Sequence, residues 1–276
     1  MGRFLSLPAL ALTVALAACT AEAPVAEHLV VDGWIEDGGY PVVILTSSVP
    51  VGDEPLALED LQSHVLKWAT VSVSDGENTV FLTGMKNDDY FPPYIYTSYA
   101  MKGQAGKKYS LKVRYGETEV SAETTVPAPQ SLDTLLAVST LDGYAIQARF
   151  QPQQDGYYFF FARRAAADST YLPCMYTLID GSAVSGQEVS VNMMRGFEIL
   201  SSEEYGTGIF KSGEHVSVRF CTMDKFSYEF WKGYQEEWVF THNPFFPALS
   251  NAPSNVTGGY GAWVGYGASF YEIDIP

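Results

Sequence analysis

Tyr109-Ser110-Leu111-Lys112-Val113-Arg114-Tyr115-Gly116-Glu117-Thr118-Glu119-Val120-Ser121-Ala122-Glu123-Thr124-Thr125-Val126 is the stretch on which the fold turns. Tyr109, Leu111, Val113 and Tyr115 alternate with Ser110, Lys112 and Arg114. Val120, Ala122, Thr124 and Val126 alternate with Glu119, Ser121, Glu123 and Thr125. A period of two sends every second side chain to one face, so each run reads as a half-buried strand. They meet at Gly116-Glu117, which makes them a hairpin.

Outward from this hairpin the same grammar repeats. Asp75-Gly76 lies between runs at 70–74 and 79–83, and the pair suits a type I′ turn. Residues 28–36 and 40–48 flank Asp37-Gly38-Gly39, and 94–99 adds a further strand. That makes about seven short strands in 28–127, the spacing of an immunoglobulin-like β-sandwich. Val126-Pro127-Ala128-Pro129 then stops the ladder, because proline lacks the donor that a central strand needs. A domain boundary is expected there, with a second β-rich domain over 128–276.

In the second part Tyr144, Ile146, Ala148 and Phe150 alternate with Ala145, Gln147 and Arg149. Residues 157–162 are continuously apolar, as in a strand buried on both faces. Further strands are expected at 189–193, 215–220 and 269–275. One helix is expected near 224–240. Asp224 caps it, Phe226, Phe230, Tyr234 and Trp238 recur at every fourth residue, and Trp231 widens the stripe. The fold class is therefore mainly β, and the absence of strand–helix alternation disfavours a doubly wound sheet.

The first nineteen residues, MGRFLSLPALALTVALAAC, read as an address. Arg3 is a minimal basic region and residues 5–16 are an apolar core of leader length. Leu16-Ala17-Ala18-Cys19 supplies the small residues that a lipoprotein signal peptidase accepts. Residues 1–18 are thus expected to be removed, with Cys19 lipidated and 19–27 serving as a tether. Loss of Arg3 takes the net charge from -16 to -17. No other stretch approaches the roughly eighteen apolar residues of a membrane span, so acyl chains alone would hold the protein to the membrane.

Sixteen basic against 32 acidic residues exclude a nucleic-acid binder, which needs a basic footprint. An apolar share of 47% is enough to bury a core, so the chain as a whole is not disordered. Cys174 and Cys221 remain after lipidation; a disulfide and two separate buried thiols are both open readings.

Chemistry-bearing motifs are sparse. Gly259-Tyr260-Gly261-Ala262-Trp263-Val264-Gly265 has the wrong glycine spacing for a dinucleotide loop, and eleven residues after it leave no room for a helix and strand. Two readings remain: a Gly-aromatic strand packed in the core, or a surface that presents Tyr260, Trp263 and Tyr266 to a partner or ligand. His28, His64, His215 and His242 show no metal-ligand spacing. No Gly-x-Ser-x-Gly elbow occurs, and no carboxylate pair stands out. Asn87-Asp88-Asp89 and Asp53-Glu54 read as solvated acidic turns. No catalytic residue, metal or cofactor is expected.

Several blocks together resemble an uncharacterised lipoprotein family of Bacteroidota, domain of unknown function 4249. They are Val30-Val31-Asp32-Gly33-Trp34-Ile35, Ala69-Thr70-Val71-Ser72-Val73-Ser74-Asp75-Gly76, Tyr109-Ser110-Leu111-Lys112-Val113 and Val126-Pro127-Ala128-Pro129. Ser227-Tyr228-Glu229-Phe230-Trp231, Pro247 and Ser254-Asn255-Val256-Thr257-Gly258-Gly259-Tyr260-Gly261-Ala262-Trp263 complete the match. The resemblance implies an outer-membrane lipoprotein that partners a TonB-dependent transporter in nutrient uptake, on the cell surface or on the periplasmic face. The expected role is non-enzymatic capture of a ligand, with a glycan or peptide suited to an aromatic platform. An adhesive surface module and a hydrolase with a convergent site are the alternatives. Metabolic labelling with a palmitate analogue is expected to tag the chain and to leave Cys19→Ala untagged.

Overall fold

The computed structural model describes residues 28–48, 62–174, 176–184, 186–194, 208–241 and 253–276, with 237–241 described in backbone only. Cys19, the tether and Asp53-Glu54 lie outside these residues. The first part of the chain forms β1 (Leu29–Glu36), β2 (Val42–Ser47), β3 (Thr70–Ser74), β4 (Thr79–Lys86), β5 (Tyr94–Thr97), β6 (Lys108–Tyr115) and β7 (Thr118–Thr125). The second forms β8 (Thr134–Ser139), β9 (Tyr144–Phe150), β10 (Tyr157–Arg164), β11 (Leu172–Pro173), β12 (Ile179–Asp180), β13 (Val189–Met193) and β14 (His215–Met223). Helix α1 (Lys225–Thr241) and the long β15 (Tyr260–Asp274) follow. The protein is mainly β, as its alternating pattern requires.

Twelve strands join in one sheet, in the order β11-β10-β14-β15-β1-β2-β5-β4-β3-β6-β7 with β12 beside β10; β13-β9-β8 form a second sheet. Val126–Pro129 does end β7, yet the two parts share this large sheet. The first half of β15 runs parallel to β1, pairing Val30 with Tyr260 and Glu36 with Tyr266. Its second half runs antiparallel to β14, pairing Thr222 with Gly267 and His215 with Asp274. A proline stop governs where one strand ends; it does not govern which distant strand later pairs across it.

Period two along β15 decides where the cores lie. Trp263 enters a core formed with Val31, Ile35, Val43, Leu111 and Val120. Tyr271 and Ile273 pack against a second core that includes Phe150, Phe160 and Phe220. The even residues Ala262, Val264, Tyr266 and Ala268 face the other way, into a third cluster covered by Phe226, Phe230 and Trp231 of α1. The first core is closed where the sheet curls back, since Ser121 of β7 and Thr257 exchange backbone hydrogen bonds of 3.1 and 2.8 Å.

Trp263 is fully buried. Its indole Nε1 donates to the Tyr109 carbonyl at 3.2 Å. The Asn255 side chain brackets its backbone, accepting from Trp263 N at 2.9 Å and donating to Trp263 O at 2.8 Å. A Cβ on Gly33 would stand 2.9 Å from Cε3 of the indole, so glycine is what lets β1 pass beneath it.

The turn at Asp75-Gly76 differs from the expected type I′ form. Ser74 pairs with Thr79, which leaves four residues in the loop, and of these Gly76 has a positive φ of 91° while Asp75 does not. The Asp75 carboxylate organises the loop by accepting from Asn78 N at 2.7 Å and Glu77 N at 3.1 Å. Those amides, joined by Lys107, hold its pKa at about 2. Helix α1 begins as expected: Asp224 Oδ1 accepts from Ser227 N at 2.8 Å and from Ser227 Oγ at 2.6 Å.

Cys174 and Cys221 are free thiols. Cys174 belongs to the second core and Cys221 to the third, on opposite faces of the sheet and with β10 between their strands, so their side chains point apart. Burial pushes the Cys221 thiol up to about 12 and the Cys174 thiol higher still, which leaves both unreactive near neutrality.

Urea unfolding is expected to show Trp263→Ala destabilised by about 3–5 kcal/mol. Gly33→Ala should lose about 1–3 kcal/mol through displacement of the indole.

Candidate ligand cavity under the helix

The face of the sheet opposite the first two cores carries a cavity of about 830 Å³. Alternation along β1 puts Asp32, Trp34 and Glu36 on this face, while Val31 and Ile35 go to the core. Register sets Asp32 between Ala262 of β15 and Ile44 of β2. Tyr266 comes from β15, Phe161 and Arg163 from β10, and Arg219 from β14. Phe230 and Trp231 and, one helical turn further along α1, Tyr234 supply the opposing wall. The segments Asn87–Pro93 and Asp168–Pro173 contribute further lining, including Tyr90 and Tyr171.

The aromatic wall is fixed by contacts between its own members. Trp231 Nε1 donates to Tyr266 Oη at 2.7 Å, which ties α1 to β15. The Trp231 ring lies 5.0 Å from Phe159 and 5.4 Å from Phe161, and Trp34 lies 5.9 Å from Tyr90. Burial pushes the Tyr266 and Tyr234 hydroxyls well above the ordinary tyrosine range, so both stay neutral.

Arg219 is nine-tenths buried in this wall. Its guanidinium stacks over Phe161 at 4.2 Å, Tyr266 at 5.2 Å and Tyr171 at 5.5 Å. Nη1 donates to Glu36 Oε2 at 3.3 Å. Burial opposes the charge, but Glu36 and the surrounding groups outweigh it and Arg219 stays protonated. The pair therefore ties β14 to β1 while nearly neutralising itself.

Asp32 is different. The residue is exposed to the cavity, yet protein surrounds it closely enough that desolvation lifts its pKa to about 6. Among the described residues no cation and no hydrogen-bond donor is placed on that carboxylate. An 830 Å³ space with aromatic walls and a few polar groups has the size and character of a small-molecule site. Among the described residues no cluster of three potential metal ligands occurs.

Tyr260, Trp263 and Tyr266 do not form a single presenting surface. They are strand residues, and a separation of three sends Trp263 and Tyr266 to opposite faces. Trp263 is a core residue, which is the packing role. Tyr266 lines the cavity with its ring buried. Tyr260 is 40% exposed and meets the His28 ring edge-on at 4.9 Å. Asn87-Asp88-Asp89 forms a turn in which both aspartates are exposed, and this turn also lines the cavity. Asp32, Trp34 and Arg219 were not singled out from sequence, although alternation in Val31-Asp32-Gly33-Trp34-Ile35 already places Asp32 and Trp34 on one face. What no local pattern supplies is the helix and the distant strands that turn that face into a cavity.

No helix among the described residues is long and apolar enough to cross a membrane. A family model described as Domain of unknown function (DUF4249) matches residues 20–269. Comparison with curated proteins finds no match.

The folded state holds the Asp32 proton to higher pH than the unfolded chain does. Stability at this position is therefore greatest in acid and falls as pH rises from about 4 to about 6. Asp32→Asn removes the penalty. It is expected to stabilise the protein by about 1 kcal/mol at pH 7.5, after allowance for water in the cavity, with the gain vanishing near pH 4. Thermal unfolding at the two pH values checks this.

Proposed function

The chain belongs to the DUF4249 family, and on that premise we propose that it is an outer-membrane lipoprotein that captures a ligand for a TonB-dependent transporter. The observation that carries the capture role is the aromatic cavity between the sheet and α1. Its rings offer flat apolar faces on which a sugar ring or a peptide side chain can stack, while its polar groups orient what enters. Binding without turnover suits a site in which Arg219 is committed to Glu36 and the neighbouring tyrosines stay neutral.

The anchor is supported by the leader pattern ending in Leu16-Ala17-Ala18-Cys19, and by a family match that begins one residue later. A single lipidated terminus followed by a short tether would keep the cavity within reach of a membrane partner. The transporter itself is suggested by the family resemblance.

Affinity isolation of the full lipidated chain from detergent-solubilised outer membrane, followed by mass spectrometry, tests this. A TonB-dependent transporter is expected to co-elute in stoichiometric amount. Recovery of the lipoprotein alone, with transporter abundant in the input, overturns the reading and turns attention to adhesion or hydrolysis.

A further inference from the structure

We propose that the cavity selects a ligand bearing a protonated amine, which seats on the Asp32 carboxylate between the aromatic walls. This deepens the capture reading and rests on the cavity being the capture site.

Charge decides the sign of the ligand. Five carboxylates line the space, those of Asp32, Glu36, Asp88, Asp89 and Asp168, against the two guanidinium groups of Arg163 and Arg219. Most of these charges are already spent. Glu36 is taken by Arg219, Asp168 by Arg164 at 2.6 Å, and Asp88 by Lys86 at 2.7 Å. Arg163 lies over the Tyr171 ring at 5.3 Å and donates to Ser217 Oγ at 3.4 Å. Asp32 and Asp89 have no side-chain partner among the described residues, and of the two only Asp32 stands on the sheet beneath the helix, open to the cavity.

A carboxylate in such surroundings has lost part of its hydration without compensation. A cation delivered to it recovers that loss, and the negative faces of nearby rings add attraction. With Lys86 and Arg164 counted beside their partners the acids still outnumber the bases, so an anion gains no net attraction, and a neutral ligand would leave Asp32 uncompensated. The guanidinium of Arg219 already shows that this wall accepts a cation against its rings, at 4.2–5.5 Å.

Tyr234 and Tyr266 interact with Asp32 directly, and the other charged or titratable groups share the cavity lining with it. Its own strand offers Glu36, β14 offers Arg219, β15 offers Tyr266 and α1 offers Tyr234. From β2 come the apolar Val42 and Ile44, β10 brings Arg163, and the neighbouring loop brings Asp88, Asp89 and Tyr90. Arg219, Tyr234 and Tyr266 do not change charge near neutrality, and no histidine lines the cavity among the described residues. Protonation of Asp32 as pH falls below about 6 should therefore release the amine.

Isothermal calorimetry on the full lipidated protein in detergent tests this with three probes. Nα-acetyl-lysine methylamide carries a side-chain amine, alanyl-alanine amide carries a chain-terminal amine, and Nα,Nε-diacetyl-lysine methylamide is the neutral counterpart of the first. At least one amine probe is expected to bind at pH 7.5, and the first two arms separate the two sources of the charge. The neutral counterpart should bind at least tenfold more weakly, and amine binding should weaken about tenfold at pH 5. Asp32→Asn, whose fold is checked by circular dichroism, should lose both the affinity and the pH dependence; Asp32→Glu should keep the preference for charge. Equal binding of the neutral counterpart, an unchanged Asp32→Asn, or no binding of either amine probe at millimolar concentration overturns the proposal. Neutral-probe binding or transporter co-elution would then leave the capture reading standing, so the two failures are distinguishable.

Discussion

Everything in this protein depends on the pairing of β15 with β1. One strand drawn from the far end of the chain lies between β14 and β1, and through it the two parts share one sheet. Its odd residues reach two cores and its even residues a third. Trp263 and Tyr266 state the consequence most plainly. Three positions apart, one plugs the interior of the first part, and the other furnishes the wall of the cavity outside it. Gly33 makes room for the first, and the indole of Trp231 holds the second.

The cavity owes its floor and one wall to this arrangement, and the segments 87–93 and 168–171 complete its lining. The sheet supplies a rigid floor, and α1 lies across it on an apolar stripe. Asp224 fixes where that helix starts, and Phe226, Phe230 and Trp231 fix which side it shows. The Arg219–Glu36 pair spans β14 and β1 at the same face. Ion pairs of this kind contribute little net stability once desolvation is counted, but they set register, and here the strands that are held together belong to different parts of the chain. A site built on strands and a helix keeps its shape better than one built on loops.

Much of this was legible in the amino-acid order. The hairpin through Gly116, the strand at Tyr144–Phe150, the strand at Val189–Met193 and the capped aromatic helix all follow from local periodicity, because each buries a single face. Long-range pairing was not legible. Nothing in Tyr260–Tyr266 announces that it lies beside Val30–Glu36, so a sheet shared across Pro127 could not be read from local pattern. The Asp75-Gly76 turn was misjudged in type because the carboxylate, rather than two positive φ angles, supplies the hydrogen bonding. The strand at Thr134–Ser139 went unrecognised; its Leu-Leu-Ala-Val run lacks the two-residue alternation that marks its neighbours. Asp32 was visible as an acid among apolar residues, yet its solitude in the cavity belongs to the tertiary structure.

The position of β15 also bears on the order in which the molecule can assemble. One side of β1 pairs with β2 nearby in the chain, but its other side finds β15 only at Tyr260, so that edge stays open until this much later segment has been made. An intermediate lacking the last strand would expose the apolar floor that Trp263 should seal, together with unpaired main-chain donors and acceptors. Such contact order slows folding and prolongs the life of an unstructured nascent chain. Pairing at this separation makes β15 a latch that closes the sheet only once the strands on both of its sides already exist.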